Sequence, residues 1–308
     1  MRHRNLALFL VLAAVWGSAF VAIKAGLGTP AAPAGFFDAP VLFAALRYDI
    51  AGVLMLGYAA YATDQFLPRG RRQWTATLVA GALMIAAYHA FLFVGETDPA
   101  VSSAAAAVVV SLSPVLTAGF SRLWLPSERL TPVGVLGLLL GLVGVVVLTD
   151  PAPGNLGVSP GVVFVFLATL SFASGSVLTR RLDTDLPIET MEAWAMVTGA
   201  AMMHVASVAV GESVAAVEFT PRALAALAYL AVAASALGFL VYFDLLERLG
   251  PVEINLVSYA APPVAALVGF LLLDETVDAA AAAGFLVILA GFVLVKREAI
   301  RDVVARAG

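Results

Sequence analysis

The sequence predicts an all-α integral membrane protein, with ten transmembrane helices arranged as two inverted five-helix repeats. Three observations carry that expectation. Of the 308 residues, 62% are hydrophobic and only 12% charged, whereas a typical soluble domain carries about 25% charged residues. Ten apolar runs follow one another along the chain, each near the ~20 residues that cross a bilayer as a helix. The second half of the chain then repeats the pattern of the first. No remaining stretch is long enough for a soluble domain. Cysteine is absent, which excludes a disulfide framework and a thiolate metal site. The three histidines are far apart, so neither a metal nor a cofactor is expected.

The first run, 6–27, follows Arg2 and Arg4 and starts like a secretory signal. A signal would end at small residues and be removed. Here the apolar run continues through Phe20–Ile23, and Lys24 arrives only near its far end. The remaining runs are 41–62, 74–95, 101–125, 131–149, 160–179, 188–210, 223–246, 253–273 and 279–296. Joints such as 64–73, 96–100, 126–132, 150–161, 180–187 and 247–253 carry turn or charged residues. The run 188–210 departs most from the pattern, because it holds Glu189, Glu192 and His204. With the N-terminus in the cytoplasm, every Lys and Arg falls on the inner side except Arg222, outside, and Lys24 and Arg47, within spans. That asymmetry is the positive-inside pattern. It predicts a multi-pass protein of the cell (plasma) membrane with both termini cytoplasmic. The expected division is 1–149 for the first repeat, 160–296 for the second and 297–308 for a cytoplasmic tail.

The repeat is visible in ERLTPVGVLGLLLGLVGVVVL (128–148) and ETVDAAAAAGFLVILAGFVLV (275–295). Glu128 and Glu275 each precede a glycine by 9 residues (Gly137, Gly284) and another by 16 (Gly144, Gly291). Segments 113–120 and 262–270, 16–24 and 172–180, and 95–101 and 246–252 match in the same order. Five helices is an odd number, so the second copy enters the membrane from the opposite side. Inverted repeats place a site near the midplane, between halves that rock against each other. The glycines seven apart lie on one helix face and permit close helix packing.

Four blocks carry a family resemblance: WGSAFVAIK (16–24), AALRYDIAG (44–52), the SLSP-to-ERLTP segment (111–132) and SYAAPPVAALVGFLLLDET (258–276). With them the chain resembles the EamA-type members of the drug/metabolite transporter superfamily over nearly its whole length. The resemblance implies a ten-helix fold of two inverted repeats that moves small organic molecules, often by export. It marks the fold well and the substrate poorly. The chain departs from the family's usual helix-joining pattern at Pro126-Ser127, where a glycine commonly precedes the glutamate.

Charged residues inside a span need a partner, a cavity or a substrate. Arg47 and Asp49 share the second run, but residues two apart point to different faces. Phe43, Ala44, Ile50 and Ala51 are within reach of Arg47 along the helix, and none can pair with it. Each charge must therefore be satisfied from another helix, from water or from substrate. Arg47 could bind a carboxylate or phosphate, or could tie helices together; the resemblance, which shares this arginine among transporters of unlike substrates, favours the tie. Asp49 could hold a proton or a cationic group, or bond a neighbouring helix. Lys24 either snorkels to the headgroups or faces a cavity mouth. Trp16, Phe20 and Lys24 lie four apart on one side of the helix, and Trp16 is a candidate pocket wall. Tyr88 and His89 in the third run, and Asn255 and Tyr259 in the ninth, complete the candidate binding residues. Pro114, Pro262 and Pro263 are expected to bend the fourth and ninth helices beside a cavity.

These features point to a secondary transporter of small organic metabolites, amino-acid-like or other, working by alternating access. The expected partners are a small-molecule substrate and the lipid bilayer, with no nucleic acid; a homodimer is allowed. An integral-membrane enzyme or a small-molecule sensor is the alternative. The first would need a catalytic cluster and the second a signalling domain, and the sequence offers neither. No GxxxxGK[ST] loop is present to power transport with nucleotide.

Overall fold

The structure, a computed structural model, describes residues 2–28, 35–124, 132–148, 158–249, 254 and 257–307. Among the described residues there is no strand. The helices are α1 (Arg2–Leu27), α2 (Pro40–Ala62), α3 (Gly70–Glu96), α4 (Ser103–Trp124), α5 (Pro132–Leu148), α6 (Pro160–Leu182), α7 (Ile188–Ala209), α8 (residues 221–249), α9 (Val257–Leu273) and α10 (Ala279–Ala307). Six of them are long and apolar enough to cross a membrane, and α5, α9 and the Ala279–Val295 part of α10 are shorter apolar helices. The run that holds Glu189, Glu192 and His204 forms an unbroken 22-residue helix. Helix α10 passes Lys296 without a break and ends at Ala307, so the residues read as a tail continue the last helix.

Helix starts carry the expected chemistry. Pro40, Pro160 and Pro221 open α2, α6 and α8, where a missing N–H costs nothing. Ser102, Ser159 and Thr220 accept from the N–H three residues on and so cap α4, α6 and α8. Two helices are capped from a distance. Glu212, after α7, accepts from Val41 N and Leu42 N at the start of α2 (3.0 and 2.7 Å). Glu275, after α9, accepts from Ser103 N and Oγ at the start of α4 (3.1–3.2 Å).

Such cross-links sort the helix ends onto two faces. On the N-terminal face, Arg4 pairs with Asp244 near the end of α8, Gln73 near the start of α3 donates to Asp185 after α6, and Trp194 of α7 donates to Phe66 O after α2. On the opposite face, Lys24 reaches the segment after α3, and Asp98 of that segment accepts from Gly161 N at the start of α6. Successive helices therefore run in alternating directions.

Helix α1 packs against α8 and α9, and α6 against α3 and α4. Helix α2 packs on α7 and α8, α7 also on α3, α4 on α9, and α5 on α10. The last pair packs backbone against backbone. A β-carbon on Gly137 would stand 2.7 Å from Gly291 O, and one on Gly144 2.8 Å from Gly284 O; the converse contacts are 2.6 Å each way. The glycines seven apart thus let two backbones meet; the sequence implied close packing at each, and the structure shows that the two glycine faces pack on each other. Outside this core, Val53, Leu136, Leu139, Val205, Leu267 and Leu286 are exposed. A belt of large apolar side chains on this scale is a lipid-facing surface.

Among the described residues, four helices depart from a plain α-helix. Helix α4 divides into Ser103–Val110 and Ser113–Trp124, with a turn at Ser111–Leu112. Pro114 at the start of the second piece has no N–H to continue the ladder. In α9 the helical run passes through Pro262 and Pro263. Helices α3 and α8 each contain a π-helical stretch, Ala80–Ala87 and Tyr229–Leu237. Wider turns of this kind redirect backbone carbonyls and gather at functional positions.

Candidate functional site

The densest buried polar group lies where α2, α3 and α8 meet. Arg47 is only 6% exposed, and its Nε donates to Ser235 Oγ at 2.9 Å. Its guanidinium carbon sits 5.1 Å from the Tyr48 ring centre, a cation–π distance. Among the described residues the guanidinium makes no other hydrogen bond and no ion pair. Its two terminal nitrogens, a fork that fits a carboxylate, have no partner there. The sequence required satisfaction from another helix, and the structure supplies one bond from α8.

His89 of α3 closes the other side. Its Nδ1–H donates to Ile85 O at 2.9 Å, which in the neutral ring leaves Nε2 to accept from the Tyr48 hydroxyl at 2.8 Å. Tyr88 stands edge-on to His89, 4.5 Å between centres, and leans on Phe172 of α6. Both π-helical stretches serve this centre: Ile85 lies in the first, and Ala234 and Ser235 in the second. Trp16 donates to Ala234 O at 3.1 Å and packs against Phe239 and Tyr242. Below that aromatic layer, toward the N-terminal face, Arg4, Leu8, Leu240, Val241 and Asp244 line a groove of about 410 Å³. The groove is not itself the polar centre; the Trp16 layer stands between them.

The structure brings Trp16, Arg47, Tyr88 and His89 around one centre and sets the other candidates apart. The stripe of Trp16, Phe20 and Lys24 faces inward rather than to lipid. Lys24 donates to Asp98 O at 3.1 Å and to Val101 O; it neither snorkels nor opens a mouth, but fastens the segment after α3. Asp49 accepts from His204 Nε2 of α7 at 2.7 Å, and both side chains are about two-fifths exposed. It is a helix-to-helix tie at the protein surface. Tyr259 is buried against Phe292 of α10, ring centres 4.5 Å apart, and its hydroxyl has no partner among the described residues. Pro262 and Pro263 line a small groove of about 140 Å³ with Ala104, Val108 and Phe285. That groove lies between α4, α9 and α10, and none of its lining residues belongs to the Arg47 centre. Asn255 lies outside the described residues, as does Glu128 of the repeat.

Four residues escaped sequence reasoning. Tyr48 adjoins Arg47 but reads as one more aromatic in an apolar helix. Ser235 looks like a small packing residue, and its importance depends on a π-helix that leaves no mark in the sequence. Glu96 reads as a loop residue in the joint 96–100, yet it ends α3, is 1% exposed, and among the described residues neither carboxyl oxygen has a hydrogen bond. Glu192, within the first turns of α7, is buried. For both acids the available signal was a carboxylate within reach of an apolar run.

A family model, the EamA-like transporter family, matches residues 4–150 and 159–297. The chain belongs to the EamA-like transporter family. Its relatives include the inner membrane transporter YedA of Escherichia coli, 32% identical over 286 residues covering 90% of this chain and 87% of that protein. A transporter of Archaeoglobus fulgidus is 27% identical, covering 92% and 95%. Protein PecM of Dickeya dadantii is 28% identical, covering 92% and 89%. A solved crystal structure, 25% identical, matches with a TM-score of 0.63 over 98% of this chain and 99% of that one. As an EamA-like protein with several membrane-spanning helices, the chain is a multi-pass membrane protein, and its relatives' names indicate a transporter rather than an enzyme.

Proposed function

We propose that this chain is a secondary transporter that exports small organic solutes bearing a carboxylate, amino-acid-like molecules foremost, by alternating access around the Arg47 centre. The observation that carries the reading is the Arg47 fork: buried, anchored through Nε to Ser235, and without a partner at either terminal nitrogen among the described residues. A buried guanidinium without an anion is costly, and a substrate carboxylate supplies that anion. Tyr48, Tyr88 and His89 offer hydroxyls and ring faces for the remainder of a small molecule. The groove below Trp16 supplies a route from the N-terminal face, assigned to the cytoplasm.

The helix pairings support two inverted five-helix repeats, 1–149 and 160–296. Exchanging the first five helices with the last five leaves the pairings α1–α9 with α6–α4, α1–α8 with α6–α3, and α2–α8 with α7–α3 in register, and maps α2–α7, α4–α9 and α5–α10 onto themselves. The two π-helical stretches occupy α3 and α8, which are mates in this scheme. Such an arrangement is suited to rocking about a midplane site.

The test is flux from liposomes holding the purified protein. They are loaded with a mixture of labelled amino acids and of amines and sugars that lack a carboxylate. Saturable loss of one or more carboxylates, faster than from protein-free liposomes and without nucleotide, is the expected result. Loss confined to amines or sugars contradicts the substrate class, and no loss above the protein-free rate contradicts the transporter reading itself.

A further inference from the structure

Glu96 is the buried ionisable group that the Arg47 centre does not use. It ends α3 on the face opposite the N-terminus, 1% exposed, with both oxygens lacking a hydrogen bond among the described residues. Burying a carboxylate charge without partners is expensive, and an added proton removes that charge. The charged groups that act on it are Lys24 from α1, Glu275 from the α9–α10 joint and Arg47 from α2. On its own helix Tyr88 feels it. Asp98, two residues on, is held by Ala100 N and Gly161 N, while α6 brings the uncharged Gly161 and Val165 against the adjoining Gly95. Glu192 acts on Tyr48 and Tyr242, farther toward the N-terminal face.

The same corner is sealed by backbone contacts. The Lys24 ammonium donates to Asp98 O and Val101 O, and Glu275 caps α4 through Ser103. Val101 lies beneath this seal at 1% exposure. Lys24 therefore spends its ammonium on carbonyls rather than on the nearby acid. An ionised carboxylate is a stronger acceptor for an ammonium than a neutral carbonyl.

We propose that Glu96 is a proton site that sets this outer seal. With the proton on, Glu96 is neutral and Lys24 stays on the Asp98 and Val101 carbonyls. With the proton off, the carboxylate draws the Lys24 ammonium away, the segment 97–102 loosens, and the Arg47 centre opens to that face. The proposal rests on the transporter reading only for its use in transport; the switch itself is a property of the protein alone.

Because the chain has no cysteine, single thiol reporters test it directly. Val101→Cys reports the sealed position and Ala100→Cys, at an exposed site, corrects for thiol ionisation. The ratio of their maleimide labelling rates is followed with pH in lipid nanodiscs, with Glu96 present and with Glu96→Gln. The expected ratio rises about tenfold with pH when Glu96 is present, equivalent to ~1.4 kcal/mol between sealed and open forms, and stays low and flat with Glu96→Gln. A flat ratio in both, or an equal rise in both, overturns the proposal. Infrared difference spectra of the chain without reporters give a second reading: the carbonyl band of a protonated buried carboxyl must fade with rising pH, and the share of it that belongs to Glu96 must be missing in Glu96→Gln, any share from Glu192, also buried, remaining. Absence of the Glu96 share from the unsubstituted protein overturns the proposal equally. Neither readout involves flux, so failure of the transporter reading would be seen separately.

Discussion

At the scale of single residues, the polar groups differ in how fully neighbouring helices satisfy them. Asp49 and His204 form a tie. Interhelical hydrogen bonds in membranes average about 0.6 kcal/mol and reach about 1.7, so a double-mutant cycle on Asp49→Ala and His204→Ala should return coupling in that range. Transport by either single variant should persist. Arg47 is different in kind, since among the described residues only its Nε is engaged. The sequence exposed this contrast in part. Spacing alone showed that Arg47 and Asp49 could not satisfy each other, because the helix sends them to different faces. It could not show which helix would supply Ser235 or His204, since that depends on how α7 and α8 pack. Glu96 was misread for a related reason: a glutamate before Thr-Asp-Pro looks like a loop until α3 is seen to run to its last turn inside the core.

At the scale of elements, small residues and caps set the geometry. That α5 and α10 each present a close-packing face was legible from glycines seven apart, because that period fixes one helix face; that the two faces meet each other was not. Gly144→Ala would place its β-carbon 2.8 Å from Gly284 O, and overpacking of this sort costs about 1–3 kcal/mol. Gly57→Ala, with nothing within 4 Å of the new carbon, should instead gain ~0.5–1 kcal/mol from reduced backbone freedom. Thermal unfolding in detergent should therefore move in opposite directions for the two. The π-helical stretches were not legible, as Ala80–Ala87 and Tyr229–Leu237 read as ordinary apolar helix. The α3–α6 corner makes a pH prediction. Burial acts to raise the Asp98 carboxyl, but the N–H groups of Ala100 and Gly161, the Ser159 hydroxyl and the Lys24 charge together hold it below its usual range. A depressed folded value stabilises above the unfolded value, about 3.9, and that contribution is lost as pH falls through the folded value. The melting temperature should drop more steeply below about pH 4 in the native chain than in Asp98→Asn. Equal slopes would remove Asp98 from the account of this corner.

At the scale of the whole molecule, composition alone argued for a membrane protein, and the lipid-facing apolar belt agrees with it. The one-sided distribution of Lys and Arg predicts both termini in the cytoplasm. Reporter fusions at each end, active only in that compartment, should both report; one silent terminus would break the even number of crossings on which the inverted repeat depends. What composition could not convey is where the centre lies. That follows from the meeting of α2, α3 and α8, three helices distant in sequence and joined by residues that look unremarkable singly.

The central claim is that Arg47 holds the substrate carboxylate, and efflux from loaded liposomes tests it most directly. The native protein, Arg47→Ala, Arg47→Lys and Asp49→Asn are compared at equal reconstituted amounts, each first shown by thermal unfolding to be folded. The account predicts that Arg47→Ala abolishes carboxylate efflux, that Arg47→Lys retains a minor part because a single ammonium replaces the two-pronged fork, and that Asp49→Asn transports as the native protein does. Undiminished carboxylate efflux by folded Arg47→Ala would contradict the account and return Arg47 to the role of a helix tie.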